Sequence, residues 1–279
     1  MRTPQRAPFY VIELDIFFVS GIQSISTVGH VAVEVGDTVH IPCKYEDKYK
    51  NNVKYLCRGS TWSSCTDEIK TNQRNSAKYS ISDDKNLRIV TFTIKNLRFD
   101  DSNDYWCTIE KSGTDDGERF RVSVTKKGES KLYVDSQWIT GHFDRVNIYC
   151  KYRGSGSKQW CRVGGDCVSR SGQIDGALVT TDTNVSGVFA VTMTGLTAQN
   201  IGWYWCSSGD LQMPVFLHLT EKPTTTKSLV FSCPLKMNYL SSVPFKIIVI
   251  WSGLFRIVAV SWMRRKHLPK GQMPNICTL

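Results

Sequence analysis

At 279 residues the chain is long enough for one large domain or two of ordinary size, and its 41% hydrophobic content excludes a wholly disordered polymer. The formal charge of +10 is unevenly spread: residues 27–125 carry 15 basic and 15 acidic side chains, 126–222 carry 10 and 8, and 223–279 carry 8 and none. An excess confined to the last fifth of the chain, beside an apolar run, points to membrane topology and excludes a nucleic-acid-binding surface.

The first predicted element is a leader. Arg2 and Arg6 precede an apolar stretch over 9–22, and Ser24-Ile25-Ser26 supplies small residues for cleavage. Glu13 and Asp15 interrupt the apolar core, so 1–26 reads as an atypical signal peptide. Export suits the ten cysteines, a number that points to an oxidising compartment.

Residues 27–125 and 126–220 form two copies of one unit. VHIPCKY at 39–45 matches VNIYCKY at 146–152, and KYLCR at 54–58 matches KQWCR at 158–162. VTFTIKNLRFDDSNDYWC at 90–107 matches FAVTMTGLTAQNIGWYWC at 189–206 without a gap. Val90, Phe92 and Ile94 alternate with polar residues, as do Phe189, Val191 and Met193, which predicts strands with one buried face. Turn clusters such as SISDDKN separate the runs, and no capped helical stretch appears before residue 222. Short, evenly spaced strands in a unit of this size predict an all-β sandwich.

The cysteines specify which sandwich. Cys43 and Cys150 follow alternating strands, while Cys107 and Cys206 each lie two residues after a tyrosine, Tyr105 and Tyr204. That is the pattern of strands B and F in an immunoglobulin domain, tied by one disulfide across the sheets. It predicts Cys43–Cys107 and Cys150–Cys206, each worth about 4 kcal/mol in the loop-entropy model. Cys57 with Cys65, and Cys161 with Cys167, admit three readings: a metal clip, a redox couple or a staple. Neither loop holds a histidine and neither pair has C-x-x-C spacing. A hairpin brings such positions together, so structural disulfides are expected. Trp160 occupies the strand C core position in the second unit. Leu56 stands there in the first, which predicts a core with less aromatic bulk.

After the second unit come a stalk at 221–244, an apolar run whose predicted helix covers 245–263, and a short tail at 264–279. Cys233 in the stalk is an odd extracellular cysteine and a candidate interchain bridge, while Cys277 in the tail is expected to be reduced. Arg264, Arg265 and Lys266 follow the apolar run, placing the tail in the cytoplasm and the N-terminus outside: a single-pass type I plasma-membrane protein. Arg256 lies inside that run, where a charge is costly without a partner, and 223–279 contains no acid to serve.

The second cysteine pair, the K-x-W-C-R string and the Y-W-C endings resemble those of the polymeric immunoglobulin receptor and the related CMRF-type leukocyte receptors, over roughly residues 28–220. The resemblance implies two tandem V-type immunoglobulin domains. It implies cell-surface recognition of immunoglobulin in one branch, and of a lipid or a cell-surface protein in the other. It also implies an ITAM-bearing transmembrane adaptor pairing at Arg256, because the tail has no tyrosine of its own. The V-type pairing of a basic residue with an aspartate is met by Lys78 and Asp101 in the first domain. In the second, Ala177 and Asn200 fill those places and both charges are absent. Asn103 replaces the glycine kept as Gly202, and asparagine tolerates the left-handed region that this turn is expected to need.

The function read from these features is an immune receptor with no cofactor. Immunoglobulin transport and cell adhesion are the alternatives. The five histidines are scattered, and no hydrolase, zincin or phosphate-loop motif occurs, so no enzyme is expected. Candidate ligand loops in the first domain are Glu46–Asn52, Thr66–Gln73 and Glu110–Glu118, with Glu110, Lys111, Asp115 and Asp116 as the candidate contact residues. Asn184-Val185-Ser186 is the only N-glycosylation sequon, in a loop expected to be exposed.

Overall fold

Period-two alternation builds each unit from strands with one buried and one outward row of side chains. The structure, a computed structural model, describes residues 24–222 and the backbone of 248–252 and 255–259. The first domain contains β1 (Ile25–Ser26), β2 (His30–Glu34), β3 (Val39–Tyr45), β4 (Lys54–Arg58) and β5 (Thr66–Lys70). These are followed by β6 (Tyr79–Asp84), β7 (Ile89–Ile94), β8 (Asn103–Ile109) and β9 (Asp116–Thr125). Its back sheet runs β1-β3-β7-β6 and its front sheet β2-β9-β8-β4-β5, with β2 parallel to β9.

The second domain repeats this with β10 (Leu132–Tyr133), β11 (Trp138–His142), β12 (Arg145–Tyr152), β13 (Lys158–Arg162) and β14 (Cys167–Val168). It continues with β15 (Ser171–Ile174), β16 (Ala177–Asp182), β17 (Val188–Thr194), β18 (Gly202–Ser208) and β19 (Leu211–Thr220). The back sheet is β10-β12-β17-β16-β15 and the front sheet β11-β19-β18-β13-β14, again with one parallel pair, β11 with β19. Ile25 is buried in the first core and pairs with Tyr45.

Each core closes around its own inter-sheet cysteine pair, and the two reach aromatic bulk by different routes. In the second, Trp160 stacks on Tyr204 with centroids 5.1 Å apart. In the first, Leu56 takes the tryptophan's place, but Phe120 stacks on Tyr105 at 5.6 Å. Phe120 lies opposite Tyr105 as Val215 lies opposite Tyr204. The small-for-large exchange on β4 is thus offset on β9, and the expected loss of aromatic bulk does not occur. Both tyrosine hydroxyls donate to a carbonyl four residues earlier, Tyr105 to Asp101 and Tyr204 to Asn200, each at 3.0 Å.

The turn before β8 corrects one expectation. Gly202 has φ +138, but the non-glycine residues with positive φ are Arg88, Asn96 and Asp175, so Asn103 stays out of the left-handed region. A residue with a side chain rarely adopts the φ of Gly202, which explains glycine there and not at 103. The lost charge pair is also replaced. In the first domain Lys78 donates to Asp101. In the second the buried Asn200 amide donates to the carbonyls of Ile174 and Asp175, while Arg162 donates to the carbonyls of 199–201 and pairs with Asp175 at 3.3 Å. A neutral amide satisfied on all sides does the bracing without a buried charge.

Residues 225–279 form a separate unit. Where the sequence predicts a helix over 245–263, the described backbone is an antiparallel pair, β20 (Ile248–Ser252) with β21 (Phe255–Ala259). Isoleucine and valine favour extended backbone unless a bilayer imposes a helix. No helix among the described residues is long and apolar enough to cross a membrane.

Candidate ligand-recognition surface

All eight domain cysteines are paired in the structure: Cys43 with Cys107, Cys57 with Cys65, Cys150 with Cys206 and Cys161 with Cys167, at Cα separations of 4.0–6.5 Å. Asn184 is exposed in the loop before β17. Arg256 falls in β21, opposite Trp251. Cys233 and Cys277 lie outside the described residues.

Two of the three candidate loops are shorter than the sequence suggests. Thr66–Lys70 is β5 itself, so the loop after it begins at Thr71. Asp116–Glu118 belongs to β9, so the last loop closes at Asp115. The acidic residues there are bound internally. Asp115 accepts from the Lys111 backbone N–H at 2.9 Å and from the Tyr55 hydroxyl at 2.7 Å. Asp116 pairs with Lys111 Nζ at 2.7 Å and accepts from Tyr49 at 3.1 Å, and the lysine holds its carboxyl below the usual aspartate range. Glu110 faces Lys70 at 3.6 Å. These ties lock the loop against the one at 46–52 and leave Ser112, Gly113 and Thr114 as its exposed tip. Without coordinates a loop acid that meets a ligand and one that braces its loop look alike.

A buried lysine that the sequence did not single out anchors the neighbouring loop. Lys54 is fully buried, donates to Asp83 at 3.1 Å and to the Lys50 carbonyl at 3.0 Å, and lies 3.9 Å above the Tyr45 ring. Tyr45 donates to the same carboxylate at 2.6 Å. Burial pulls the Lys54 ammonium below the ordinary lysine value, while the carboxylate opposes that. The network joins the end of β6 to the 46–53 loop and fixes its shape.

Part of the first domain's front face is covered by its own loop, and the second domain's front face is covered by the first domain. In the first, the loop held by Cys57–Cys65 folds back over the sheet. Trp62 meets Trp106 edge-on at 5.2 Å, and a Cβ on Gly117 would come within 2.1 Å of its ring. Trp106 in turn donates to the Gly59 carbonyl at 2.9 Å. In the second, Trp203, Trp138 and Phe216 form an aromatic cluster with centroids 5.0–5.4 Å apart. Ile89 and Leu87 of the first domain pack into it beside Val163. Polar ties frame that contact. Gln137 accepts from the His40 backbone N–H and donates to its carbonyl, the Gly29 N–H donates to Gln212 at 2.6 Å, and His30 lies 3.1 Å from Asp210. The signal was present in the sequence: in GWYWC, Trp203 and Trp205 stand at outward positions, where large aromatics need a cover.

Among the described residues no cluster of three or more metal-ligating side chains occurs. The immunoglobulin V-set domain description matches residues 27–125. The mouse protein CMRF35-like molecule 7 is 34% identical over 118 residues, covering 39% of this chain and 56% of the relative. Its human counterpart is 31% identical over 121 residues, covering 42% and 60%. The chain thus spans little more than half the length of the curated relatives it matches. The ectodomain structure of the teleost fish polymeric Ig receptor is 30% identical, covers 71% of this chain and 99% of that one, and has a TM-score of 0.35. The first domain is thus a V-set immunoglobulin domain, and the chain resembles the CMRF35-like molecules over it, which supports a receptor of the CMRF35-like and polymeric immunoglobulin receptor-like kind.

Proposed function

We propose that the chain is a cell-surface immune receptor whose ligand, a protein or a lipid, meets the loop end of the first domain. The observation that carries this is the exposed tip at 112–114 on a braced loop, beside a first-domain front face partly covered by Trp62 and a second-domain front face covered by the first domain. The tip of the loop end remains open, on loops braced by Asp115, Asp116 and Lys54. Rigid loops bind at lower entropic cost than mobile ones, which is what such bracing achieves. Binding of the full-length chain to immunoglobulins and to anionic vesicles tests the reading, with Ser112 and Thr114 each replaced by arginine. Loss of about tenfold or more in affinity for the bound class supports it. Unchanged affinity places the site elsewhere.

The membrane part of the proposal is a single span over 245–263 with the N-terminus outside. A two-stranded hairpin leaves edge N–H and C=O groups that hydrocarbon cannot satisfy, so in a bilayer this run is helical. Arg256 then faces an acidic residue of an ITAM-bearing adaptor, since its own segment has none. Arg256→Leu is expected to insert well and to lose co-precipitation of the adaptor. Equal recovery from both proteins would remove the adaptor from the account.

A further inference from the structure

A cleft of about 610 Å³ opens where the two immunoglobulin domains meet, between the β2–β3 region of the first and residues 128–138 leading into the second. Its volume lies in the range of ligand pockets. One wall is aromatic. Trp138 is 51% exposed, an unusual state for an indole, yet its ring is fixed by His40, Trp203 and Phe216 at 5.0–5.4 Å. Tyr133 lines the cleft beside it. Glu34, Asp37 and Asp135 also line the cleft.

Acids outnumber bases in the cleft. Arg153 and His40 are the basic side chains lining it among the described residues, and the Arg153 guanidinium donates to the Gly128 carbonyl. Asp135 pairs with Lys151 at the rim, and Glu34 accepts from the Ser130 N–H at 3.4 Å. The Asp37 carboxylate has no side-chain partner among the described residues. Its backbone is held by Glu34 and Leu97, which fixes where that free charge points from. A half-exposed indole sharing a cleft with carboxylates offers an organic cation both a ring face and a counter-charge. The two domains around the cleft are close to charge balance, with 15 basic and 15 acidic side chains over 27–125 and 10 and 8 over 126–222, so the acidic lining is a local feature.

We infer that this interdomain cleft binds a lysine- or arginine-bearing segment of a partner protein. It is a second site, distinct from the loop end and independent of the function proposed there. The cation meets Trp138 and the Glu34 and Asp37 carboxylates, and the bound segment bridges both domains.

The test is titration of the purified full-length chain with a short oligoarginine peptide, with an oligoglutamate peptide as control. Saturable binding of the arginine peptide alone is expected. Glu34→Gln with Asp37→Asn should weaken it by about tenfold. Trp138→Leu should weaken it comparably, while Trp138→Phe, which keeps a ring, should retain most of the affinity. Asp100→Asn with Asp182→Asn, which neutralises exposed acids outside the cleft, should change nothing. Thermal midpoints of all variants separate lost binding from lost folding. Absent binding to the parent chain would overturn the site, as would equal weakening by the Asp100 and Asp182 substitutions or indifference to the cleft substitutions in a folded protein.

Discussion

On the front sheet of the second domain Trp203, Trp205, Pro214 and Phe216 point outward. At the same register on the first domain the residues are Asp104, Trp106, Arg119 and Arg121. The inward rows of these strands are alike in kind, as a duplicated core requires. The outward rows follow what lies over them. Where the first domain covers the sheet, tryptophan and phenylalanine bury apolar area. Where only Trp62 and solvent cover it, aspartate and arginine keep the surface wet. Duplication preserves the fold, and the surroundings then rewrite its faces.

The largest effect is expected where the comparison is most direct. Trp203→Ala should cost about 3–5 kcal/mol, the usual range for a buried tryptophan. It should also split a single thermal transition into two as the domains uncouple. Ile89→Asp attacks the same contact from the other side and should do likewise; a single unsplit transition in both variants would break the comparison.

Removing the hairpin bridges sharpens it. Cys57→Ser with Cys65→Ser should cost about 2.5 kcal/mol and Cys161→Ser with Cys167→Ser about 2, from loops of 8 and 6 residues. Denaturant titration measures both. Only the first pair should also expose Trp106, seen as a red shift in tryptophan emission, because only there does the closed loop carry the cover. Gly117→Val displaces Trp62 while leaving the bridge intact, and should cost about 1–3 kcal/mol as an overpacked contact.

The smallest effect is a pH dependence. His40 sits between the domains with its ring on Trp138 and bonded to Thr93, and burial, aided by Lys95, holds it below the ordinary histidine value. The unfolded chain therefore takes up this proton first. Stability is complete above about pH 6.5 and falls as pH drops below it. Asp210, held low by His30, contributes above the ordinary aspartate range and is lost only in stronger acid. Melting curves between about pH 7 and pH 5 should show the decline in the parent chain and a flatter response in His40→Gln.

Much of the fold was legible because period-two alternation and the repeated cysteine spacing are local signals. The replacement of Lys78–Asp101 by the Asn200 amide was not, since Asn200 meets the Ile174 and Asp175 carbonyls only in the folded domain. The compensation of Leu56 by Phe120 was hidden for the same reason. At the candidate site the acidic loop was visible, but its role was not. Whether a carboxylate greets a ligand or ties down Tyr49, Tyr55 and Lys111 depends on side chains from three elements.

Hydroxyl-radical footprinting of the full-length chain tests the covered-face account most directly. Trp203 is 2% exposed and Trp138 is 51% exposed within one aromatic cluster, so their intrinsic reactivities are matched. The account predicts that Trp138 is oxidised much faster than Trp203, and that Ile89→Asp brings the two rates together. Equal rates in the parent chain would mean that the first domain does not cover the second, and would contradict the account.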